Sequence, residues 1–455
     1  MNTALAWFRD DLRVADHPAL LAAARDGAAV ALYVLDEESD GVRPLGGAAR
    51  WWLHQALADL RQELGRLGIP LILRRGPASE VVPAVVNELG AGALFWNTRY
   101  GGPERAIDSG VEAWARSRGV HVESFQASLL HEPSAVRTGQ GNPYQVFTPF
   151  WRAVSTQDIR APHGEPEAGQ RCSARAASED PDVWRLAPTD PDWASGLRDS
   201  WTPTAAAAHG MLAEFAAAGM TDYADSRDRP DLPGTSRLSP YLRWGQLSPF
   251  QVWAALAATR ANAGDGARVF ASQLGWREFC WHQLYHHPDL STQNLRPRFD
   301  DCPWARPDNT RTGSDGERLR AWQTGITGLP LVDAGQRELW HTGFMHNRVR
   351  MVSASFLVKN LGIHWQVGEQ WFWDTLVDAD AASNPANWQW VAGSGADASP
   401  FFRIFNPETQ ARKFDPAGDY VHRWVPEAGT PAYPEPMVDL RDTRAAALTA
   451  YDTIR

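Results

Sequence analysis

A run of hydroxyl-bearing residues precedes a proline in the second half of the chain. Thr235, Ser236 and Ser239 lie just before Pro240. Hydroxyl groups at the start of a helix can cap its free backbone N–H groups. The same N–H groups and hydroxyls can instead hold a phosphate. From the residues alone, helix capping and phosphate binding both stay open.

A second group combines an amide, an indole and a guanidinium. Gln273, Trp276 and Arg277 are spaced so that they share one face of a helix. An aromatic plane beside these polar groups suits a planar, anionic ligand. The alternative is an ion pair between Arg277 and Glu278 beside a buried tryptophan, and the spacing is compatible with both.

A third group lies in a stretch without acids. Residues 341–363 contain three basic residues and no carboxylate, in a chain whose net charge is −10. Asn347 and Met351 are four residues apart, so they face the same side of a helix. The pattern favours a pocket next to a phosphate-binding Arg348, with a solvated charged face as the alternative.

The fourth group begins with paired carboxylates. Asp378 and Asp380 precede Asn384, which lies one helical turn before Trp388. Two acids at this spacing suggest a cation site, but the further oxygen ligands that calcium requires are missing. We therefore predict no metal and expect both acids to bind N–H and hydroxyl groups of a ligand, with Arg350 balancing their charge.

Length and composition place these groups in an ordinary globular protein. The 455 residues are 44% hydrophobic and 22% charged, which excludes a disordered or collagen-like chain and predicts two to three domains of roughly 150 residues. We expect no membrane span and no signal peptide, because the long apolar stretches that these need are missing. Three scattered cysteines exclude a disulfide framework. We expect a cytoplasmic protein.

The first 125 residues alternate strand and helix patterns. Five short apolar runs are separated by helix-period stretches, several of which end in glycine. This alternation predicts a doubly wound α/β domain with a five-stranded parallel sheet. Ligands of such folds bind beyond the carboxyl ends of the strands, which here carry the stretches 9–11, 36–37 and 97–99. No glycine-rich nucleotide-binding motif occurs there.

The pattern changes after about residue 130. We predict an interdomain linker over 131–200, because its acidic, proline-rich part at 164–192 has little periodicity. From residue 201 onward the strand patterns vanish, and long amphipathic stretches such as 249–263 predict helices. We therefore expect an α/β domain over 1–130 and a large all-α domain over 201–455.

Motifs from all four groups occur together and in order. With them, the chain resembles the photolyase/cryptochrome family, and within it the bacterial cyclobutane pyrimidine dimer (CPD) photolyases, from Trp7 to about Pro426. The motifs are TSRLS at 235–239, WREF at 276–279, MHNRVRM at 345–351, DAD at 378–380 and NWQWVAGSGADASPFFRIFNP at 387–407. Their joint occurrence behind an α/β half makes the resemblance specific.

The resemblance implies a bent FAD in the helical domain. The pyrophosphate would meet residues 235–239, Arg350 would pair with Asp378 near the flavin, and the amide of Asn384 beside flavin N5 would favour the reduced, anionic form. The residues that would hold the cofactor are Tyr223, Thr235, Ser236, Arg237, Leu238, Ser239, Gln273, Trp276, Arg277, Asn347, Arg350, Asp378, Asp380 and Asn384.

The resemblance also implies a light-driven lyase acting on UV-damaged DNA, in which excited reduced FAD lends one electron to a flipped pyrimidine dimer. Trp388 and Trp365 would carry electrons to the flavin. The catalytic residues would be Gln273, Trp276, Asn347, Met351, Asn384 and Trp390. The DNA-binding residues would be Arg227, Trp276, Asn347, Arg348, Met351 and Trp390.

Three positions depart from the family pattern. Gln273 stands where CPD photolyases carry a glutamate that steadies the dimer anion. The outer tryptophan of the usual electron-transfer chain aligns near Thr312, so Trp304 or Trp340 would have to replace it. Pro385 and Ala386 follow Asn384 directly, which is unusual in the family.

Two further functions stay open within the family. Gln273 also fits a cryptochrome-like photoreceptor, whereas Met351 and Trp390 favour repair. A (6-4) photolyase would carry histidines at Asn347 and Met351. A flavoprotein without photochemistry would need an NAD(P)H site, and no motif indicates one.

The sequence also bears on an antenna chromophore and on the assembly state. Residues 46–53 resemble relatives that bind a deazaflavin antenna, with a folate or an empty site as alternatives. We expect a monomer, with no membrane and no obligate protein partner.

Overall fold

A five-stranded parallel sheet forms the centre of the N-terminal half. The computed structural model describes residues 3–167, 176–307, 313–398 and 402–454. The strand order β3-β2-β1-β4-β5 confirms the predicted doubly wound α/β architecture. The strands are β1 Thr3–Phe8, β2 Ala28–Leu35, β3 Leu71–Arg75, β4 Ala91–Asn97 and β5 His121–Phe125.

Burial on both faces explains why the central strands are continuously apolar. Every residue of β1 and β2 is buried, as expected for parallel strands covered by helices on both sides. Chain order reverses at β1, which pairs with β2 on one side and β4 on the other. The crevice beyond the carboxyl end of β1 is therefore a topological switch point, where ligands of such sheets bind.

Four helices cover the two faces of the sheet. Each begins or ends near the predicted signal: Pro18 opens the first, and Gly90 closes the third in the left-handed conformation. The helices are α1 Pro18–Asp26, α2 Gly47–Arg66, α3 Ala78–Leu89 and α4 Gly102–Ser117.

The predicted linker is more ordered than its composition suggests. It contains α5 (Phe147–Val154), a 3-10 turn at Pro181–Trp184 and α6 (Ser195–Ser200). Ser178 Oγ accepts a hydrogen bond from Leu73 N (3.0 Å), and Glu179 N donates one to Leu73 O (2.8 Å). This segment therefore covers the free edge of β3. Residues 168–175 of the predicted linker lie outside the described part.

In the described part of the remainder the regular elements are helices joined by loops, with one isolated β-bridge between Ala305 and Ile363. Two π turns, Phe215–Gly219 and Phe356–Asn360, follow α7 and α13, and α10 is kinked at Gly264 (φ 49°, ψ −126°). A short 3-10 turn lies at Pro297–Asp301. The helices are α7 Ala205–Glu214, α8 Tyr223–Ser226, α9 Ser239–Arg243, α10 Pro249–His286, α11 Gly313–Thr324, α12 Pro330–Thr342, α13 Asn347–Ser355, α14 Trp365–Thr375, α15 Ser383–Ala392, α16 Pro407–Phe414, α17 Asp419–Trp424 and α18 Leu440–Thr453.

The N-terminal half packs against α14 through residues 43–47. Trp373 Nε1 donates to Pro44 O (2.9 Å), and Gly47 N donates to Asp374 Oδ1 (2.8 Å). A Cβ atom on Gly46 would lie 2.2 Å from Trp373 O, so only glycine allows this approach. None of the described helices is long and apolar enough to span a membrane.

Candidate functional site

The helical half encloses a cavity of about 440 Å³, which we call the helical cavity. Its volume lies within the range of ordinary small-molecule sites, about 300–1,000 Å³. The cavity brings together side chains from all four sequence groups. Of the predicted site residues, those that line it are Arg227, Ser239, Gln273, Trp276, Arg277, Asn347, Arg348, Arg350, Met351, Asp378, Asn384, Trp388 and Trp390.

The remaining predicted site residues do not line this cavity. Asp380 accepts hydrogen bonds from Ala382 N and Ser383 N at the start of α15 and lines a different cavity. Arg237 lies over the ring of Trp201, 4.3 Å from its centroid. The others outside the lining are Tyr223, Thr235, Ser236, Leu238 and Trp365, of which Tyr223, Leu238 and Trp365 are buried in the core.

The hydroxyl group nearest the cavity binds a carboxylate instead of capping a helix. No side-chain hydrogen bond caps α9, so the capping interpretation of residues 235–239 is not supported. Asp378 Oδ2 accepts hydrogen bonds from Ser239 Oγ (2.6 Å) and Arg350 Nη2 (2.9 Å). Asp378 Oδ1 is buried without a partner. A buried acceptor left unpaired is costly, so this oxygen is suited to an N–H or hydroxyl group of a ligand.

Asn384 is held by a residue that the sequence analysis missed. Its Nδ2 donates to Glu369 O (3.0 Å) and to Glu369 Oε1 (2.7 Å). Glu369 in turn accepts two hydrogen bonds from Arg43, a residue of the N-terminal half. No local pattern marks either residue, because Arg43 and Glu369 are 326 positions apart.

The α10 side of the cavity carries a stacked aromatic pair. The rings of Trp276 and Phe147 are 3.9 Å apart at an angle of 10°. Gln273 Nε2 donates to Val269 O (3.3 Å) and Ser272 Oγ (3.1 Å), so both of its N–H groups are used within α10. Arg277 lines the cavity, and its Nη1 also lies 3.6 Å from Glu278 Oε1. The cavity-facing guanidinium and the ion pair with Glu278, which were the two alternatives for this group, are therefore both present.

One cavity residue is a buried thiol. Burial raises the pKa of Cys280 to about 12, so its thiol stays protonated at neutral pH. This residue therefore contributes shape and not a nucleophile.

The start of α13 places the third group at the cavity mouth. Burial lowers the pKa of His346 to about 4. Its neutral Nδ1 therefore accepts a hydrogen bond from Arg348 N (3.2 Å) and caps the helix. Asn347 is exposed, and its Nδ2 lies 3.8 Å from the sulfur of Met351, so both side chains share this wall.

The two predicted phosphate contacts share one carboxylate. Arg348 Nη2 lies 2.7 Å from Asp228 Oδ2, and Arg227 Nε lies 3.7 Å from Asp228 Oδ1. The guanidinium of Arg348 also stacks over Phe414. Asp228, which directly follows Arg227 in the sequence, therefore orders both arginines beside the cavity.

The tryptophans expected to carry electrons lie in the core around α14 and α15. Trp388 packs against Phe372 (4.9 Å between ring centroids) and Trp322 (6.3 Å). Trp365 is fully buried, and its neighbour His364 stacks edge-on against Trp304 (5.1 Å).

The two surface candidates differ in their surroundings. Ala305 N donates to Gly362 O (2.8 Å), and His364 N donates to Ala305 O (2.9 Å). These two hydrogen bonds hold Trp304 beside the chain that leads into Trp365. Trp340, which is 60% exposed, stacks instead on Trp371 at 5.9 Å. Thr312 lies outside the described residues.

A second cavity, the sheet-edge cavity, lies beyond the carboxyl ends of β1, β2 and β4. It measures about 160 Å³ and is lined by residues of all three predicted stretches, such as Asp10, Asp36 and Arg99. The antenna-like stretch 46–53 does not line it. Trp51 and Trp52 are fully buried in the core, and Trp51 also lines a third cavity of about 350 Å³.

The lining of the helical cavity fits a flavin. It offers a buried unpaired carboxylate oxygen on Asp378 for an N–H group and an indole plane on Trp276. Arg277 and Arg350 supply guanidinium groups for negative charge. Over the described residues no cluster of three or more His, Cys, Asp or Glu side chains could hold a metal ion.

Two family models match the chain. The model described as DNA photolyase matches residues 4–167, and the model described as the FAD binding domain of DNA photolyase matches residues 270–432. The two matches fall on the α/β half and on the helices that form the helical cavity.

Individual proteins are similar over the whole chain. The deoxyribodipyrimidine photo-lyase of Agrobacterium fabrum is 44% identical, covering 99% of this chain and 98% of that protein. The crystal structure of a bacterial class III photolyase from Agrobacterium tumefaciens has a TM-score of 0.94 and 43% identity, covering 100% and 98% of the two chains. Cryptochrome-1 of Arabidopsis thaliana is 36% identical, covering 93% of this chain and 62% of that protein.

Proposed function

The chain belongs to the DNA photolyase family, and on that premise we propose that it is a light-dependent enzyme that splits cyclobutane pyrimidine dimers in UV-damaged DNA. One observation carries the proposal: a single cavity unites the expected flavin-side residues, such as Asp378 and Asn384, with the expected dimer-side residues Trp276, Met351 and Trp390. We propose residues 1–130, 131–200 and 201–455 as its α/β domain, linker and FAD-binding catalytic domain.

Flavin binding in this proposal depends on the polar residues deep in the helical cavity. Arg350 and Ser239 hold the Asp378 carboxylate, whose free Oδ1 would accept an N–H group of the flavin. Reduced FAD, when bound there, supplies the electron that opens the cyclobutane ring after it absorbs blue light. Asn384 would orient the reactive edge of the ring system. Thr235, Ser236 and Arg237 would contact the more distant diphosphate part.

The dimer would enter between two aromatic side chains. Phe147 covers one face of Trp276, so the other face is available for stacking, and Arg403 lies 5.0 Å from the ring of Trp390. Stacking on an aromatic plane contributes about 1–3 kcal/mol per base. A dimer whose own stacking is already damaged costs less to flip out of the duplex, so this binding mode selects for damage.

Arg227 and Arg348 would bind the phosphates on either side of the flipped dimer. Asp228 orders both guanidinium groups before DNA arrives. The positively charged groups are therefore local, which reconciles DNA binding with the net charge of −10.

Electrons from the surface would reach the flavin through Trp388 and Trp365. We assign the outer position to Trp304 in preference to Trp340, because Trp304 contacts His364 next to Trp365. Trp340 stacks on Trp371 instead.

An antenna remains part of the proposal as either a deazaflavin or a folate. The sheet-edge cavity, at about 160 Å³, is smaller than ordinary ligand sites. A bound antenna would have to enlarge it or lie elsewhere.

A photoreceptor function is the second candidate, and Gln273 is the observation that favours it. Both Gln273 N–H groups bond within α10, so this side chain offers the dimer only an acceptor.

The deciding experiment is a repair assay with FAD-loaded, photoreduced protein and an oligonucleotide that contains one thymine dimer. We expect the dimer to disappear in blue light and to persist in darkness. Persistence in light, in protein whose absorbance shows fully reduced flavin, would refute dimer repair. The same assay on an oligonucleotide with a (6-4) lesion would then separate a (6-4) photolyase from a photoreceptor.

A further inference from the structure

One arginine of the N-terminal half reaches the immediate surroundings of the helical cavity. Arg43 Nη1 and Nη2 donate to Glu369 Oε1 (2.7 Å) and Oε2 (2.9 Å), a two-pronged ion pair. The Arg43 guanidinium also lies over the ring of Trp373, 4.2 Å from its centroid. Together with the contacts of residues 44–47 to α14, this fixes Arg43 firmly on that helix.

Glu369 connects this arginine to the cavity. Its side chain is only 2% exposed, so it has little contact with solvent and is held by its protein partners, Arg43 among them. Its Oε1 accepts from both Arg43 Nη1 and Asn384 Nδ2, each at 2.7 Å. Arg43 therefore contacts Asn384 through a single shared carboxylate oxygen.

This arrangement determines which end of the Asn384 amide faces the cavity. Asn384 Nδ2 donates to two acceptors, the Glu369 carboxylate and the Glu369 carbonyl oxygen. A flipped amide would place its oxygen against both acceptors and lose two hydrogen bonds. The amide oxygen is therefore the atom that Asn384 offers to the cavity it lines.

We propose that Arg43 is a positioning residue for the flavin: by pairing with Glu369 it keeps the Asn384 amide oxygen directed at the flavin and so stabilises the reduced form. The inference rests on the proposed function in one respect, the placement of Asn384 beside flavin N5. Reduction converts N5 from a hydrogen-bond acceptor into an N–H donor. An acceptor fixed beside N5 therefore favours the reduced flavin.

Removal of Arg43 would change the charge balance along the contacts that join Arg43, Glu369 and Asn384. Glu369 would be left buried without a cation, which is unfavourable, and its carboxylate would no longer be held in place by the two hydrogen bonds from Arg43. Asn384 Nδ2 would then lose its fixed carboxylate acceptor, which allows the amide to flip. The cavity would then receive an N–H group where it now has an acceptor.

The test is the reduction potential of FAD in the full-length protein. For Arg43→Gln we expect the equilibrium constant for two-electron reduction to fall about tenfold, a potential lower by about 30 mV. Arg74→Gln is the matched control, since Arg74 also pairs with a glutamate (Arg74 Nη2 to Glu88 Oε2, 2.6 Å) and is 23% exposed against 31% for Arg43. We expect no shift for Arg74→Gln.

A conservative variant keeps the test decisive if Arg43→Gln binds FAD poorly. Arg43→Lys preserves the charge but loses the two-pronged geometry, so we expect a shift of about threefold in the same direction. Asn384→Ala combined with Arg43→Gln should shift the potential no further than Asn384→Ala alone, because Arg43 acts through Asn384. An unchanged potential in both Arg43 variants, or additive shifts in the double variant, would overturn the inference.

This outcome is distinguishable from failure of the proposed function. Dimers that persist in light while the potentials shift as expected would refute repair and leave the role of Arg43 intact. Repair with unchanged potentials would refute the role of Arg43 alone.

Discussion

At the scale of single residues, the chemistry of the helical cavity follows from which polar atoms are already paired. Asp378 Oδ2 is held by two donors, while its Oδ1 is buried without one. The amide N–H groups of Asn384 and Gln273 are used by neighbouring protein groups. In this state the cavity therefore presents acceptors from these three side chains, which suits a ligand that carries N–H groups.

Gln273 gives a prediction at this scale. Gln273→Glu introduces a carboxyl group that, when protonated, can donate a hydrogen bond to the dimer as its negative charge develops. We expect about a two- to tenfold gain in dimers split per photon, the effect of about 0.5–1.4 kcal/mol for one hydrogen bond. The measurement is the repair yield at saturating oligonucleotide, with the dissociation constant for damaged DNA unchanged.

Gln273→Met is the control for this prediction. It keeps the volume and removes the amide, whose N–H groups already bond to Val269 O and Ser272 Oγ. Repair should stay within about twofold of the unmodified protein, since these N–H groups bond within α10 and are not available to the dimer. A large loss in Gln273→Met would show that the amide does contact the dimer and that its orientation differs with DNA bound.

At the scale of elements, close approaches of backbone decide how the two halves meet. Gly46, the residue before α2, lies so near α14 that a Cβ atom would be 2.2 Å from Trp373 O and 2.5 Å from Asp374 Cα. Gly368 of α14 similarly faces Trp388 of α15, where a Cβ would be 2.2 Å from the indole. These glycines let α14 pack against α2 on one side and α15 on the other.

Gly46→Ala tests this packing. The added methyl group meets backbone atoms that cannot rotate away, so we expect the free energy of unfolding to fall by about 1–3 kcal/mol. Differential scanning calorimetry should show a lower melting temperature. Residues 43–47 should separate from α14 before the rest of the protein unfolds.

Gly65→Ala is the matched control in the same helix. Apart from its chain neighbours and the backbone of its own helix, no atom lies within 4 Å of the position of its added Cβ. Alanine forms helix more readily than glycine by up to about 1 kcal/mol, so the melting temperature should stay constant or rise. Equal destabilisation by both substitutions would contradict the close-approach explanation.

At the scale of the whole molecule, one buried carboxylate joins three parts of the chain. Asp16, fully buried, follows β1 and accepts hydrogen bonds from Arg160 Nη1 (2.6 Å) and His163 N (2.8 Å) of the predicted linker. It also accepts one from Ser248 Oγ (2.5 Å), the residue that caps α10. Burial alone would raise the pKa of Asp16, but the hydrogen bonds from Arg160 and Ser248 outweigh it and hold the pKa below its ordinary value.

The lowered pKa predicts a pH-dependent contribution to stability. Because the folded-state pKa lies below the unfolded value of about 3.9, the contribution is complete above that pH and is lost as the pH falls through the folded-state pKa. At pH 7 we expect Asp16→Asn to lower the free energy of unfolding by about 1.5–3 kcal/mol, the range for hydrogen bonds to charged groups. Urea unfolding at pH 7 measures this difference.

A second carboxylate serves as the control. Asp192 pairs with Arg198 at the surface, 2.5 Å apart, and Asp192→Asn should leave the unfolding curve unchanged because solvent screens such pairs. A destabilisation by Asp16→Asn no larger than that of Asp192→Asn would refute the role of Asp16 in joining the halves.

Local sequence patterns predicted much of the secondary structure of this protein. Alternating apolar runs and helix periodicity predicted the five strands and the four helices around them. The central strands β1 and β2 are continuously apolar because both of their faces are buried. The same reasoning predicted that the carboxyl ends of the strands would form a crevice, where the sheet-edge cavity lies. Residues spaced by three or four on α10, α13 and α15 were correctly expected to share faces, since helix geometry alone determines this.

Local sequence patterns could not predict contacts between residues that are far apart in the chain. Asp380 looked equivalent to Asp378, yet its carboxylate accepts hydrogen bonds from the backbone N–H groups of Ala382 and Ser383 and does not line the helical cavity. The core position of Trp51 and Trp52 in the stretch 46–53 likewise depends on contacts with distant parts of the chain.

The sequence by itself therefore determined the strands around which the N-terminal half folds and the faces that helix residues share, which follow from spacing along the chain. The family and most of the cavity lining follow instead from the resemblance of its motifs. Only the tertiary structure decided that Arg43 meets Glu369 beside Asn384 and that Asp16 meets Ser248. The physical reason is that these partners are separated by 326 and 232 positions. Only the packing of the two halves brings their side chains within hydrogen-bonding distance, and no periodicity along the chain records it.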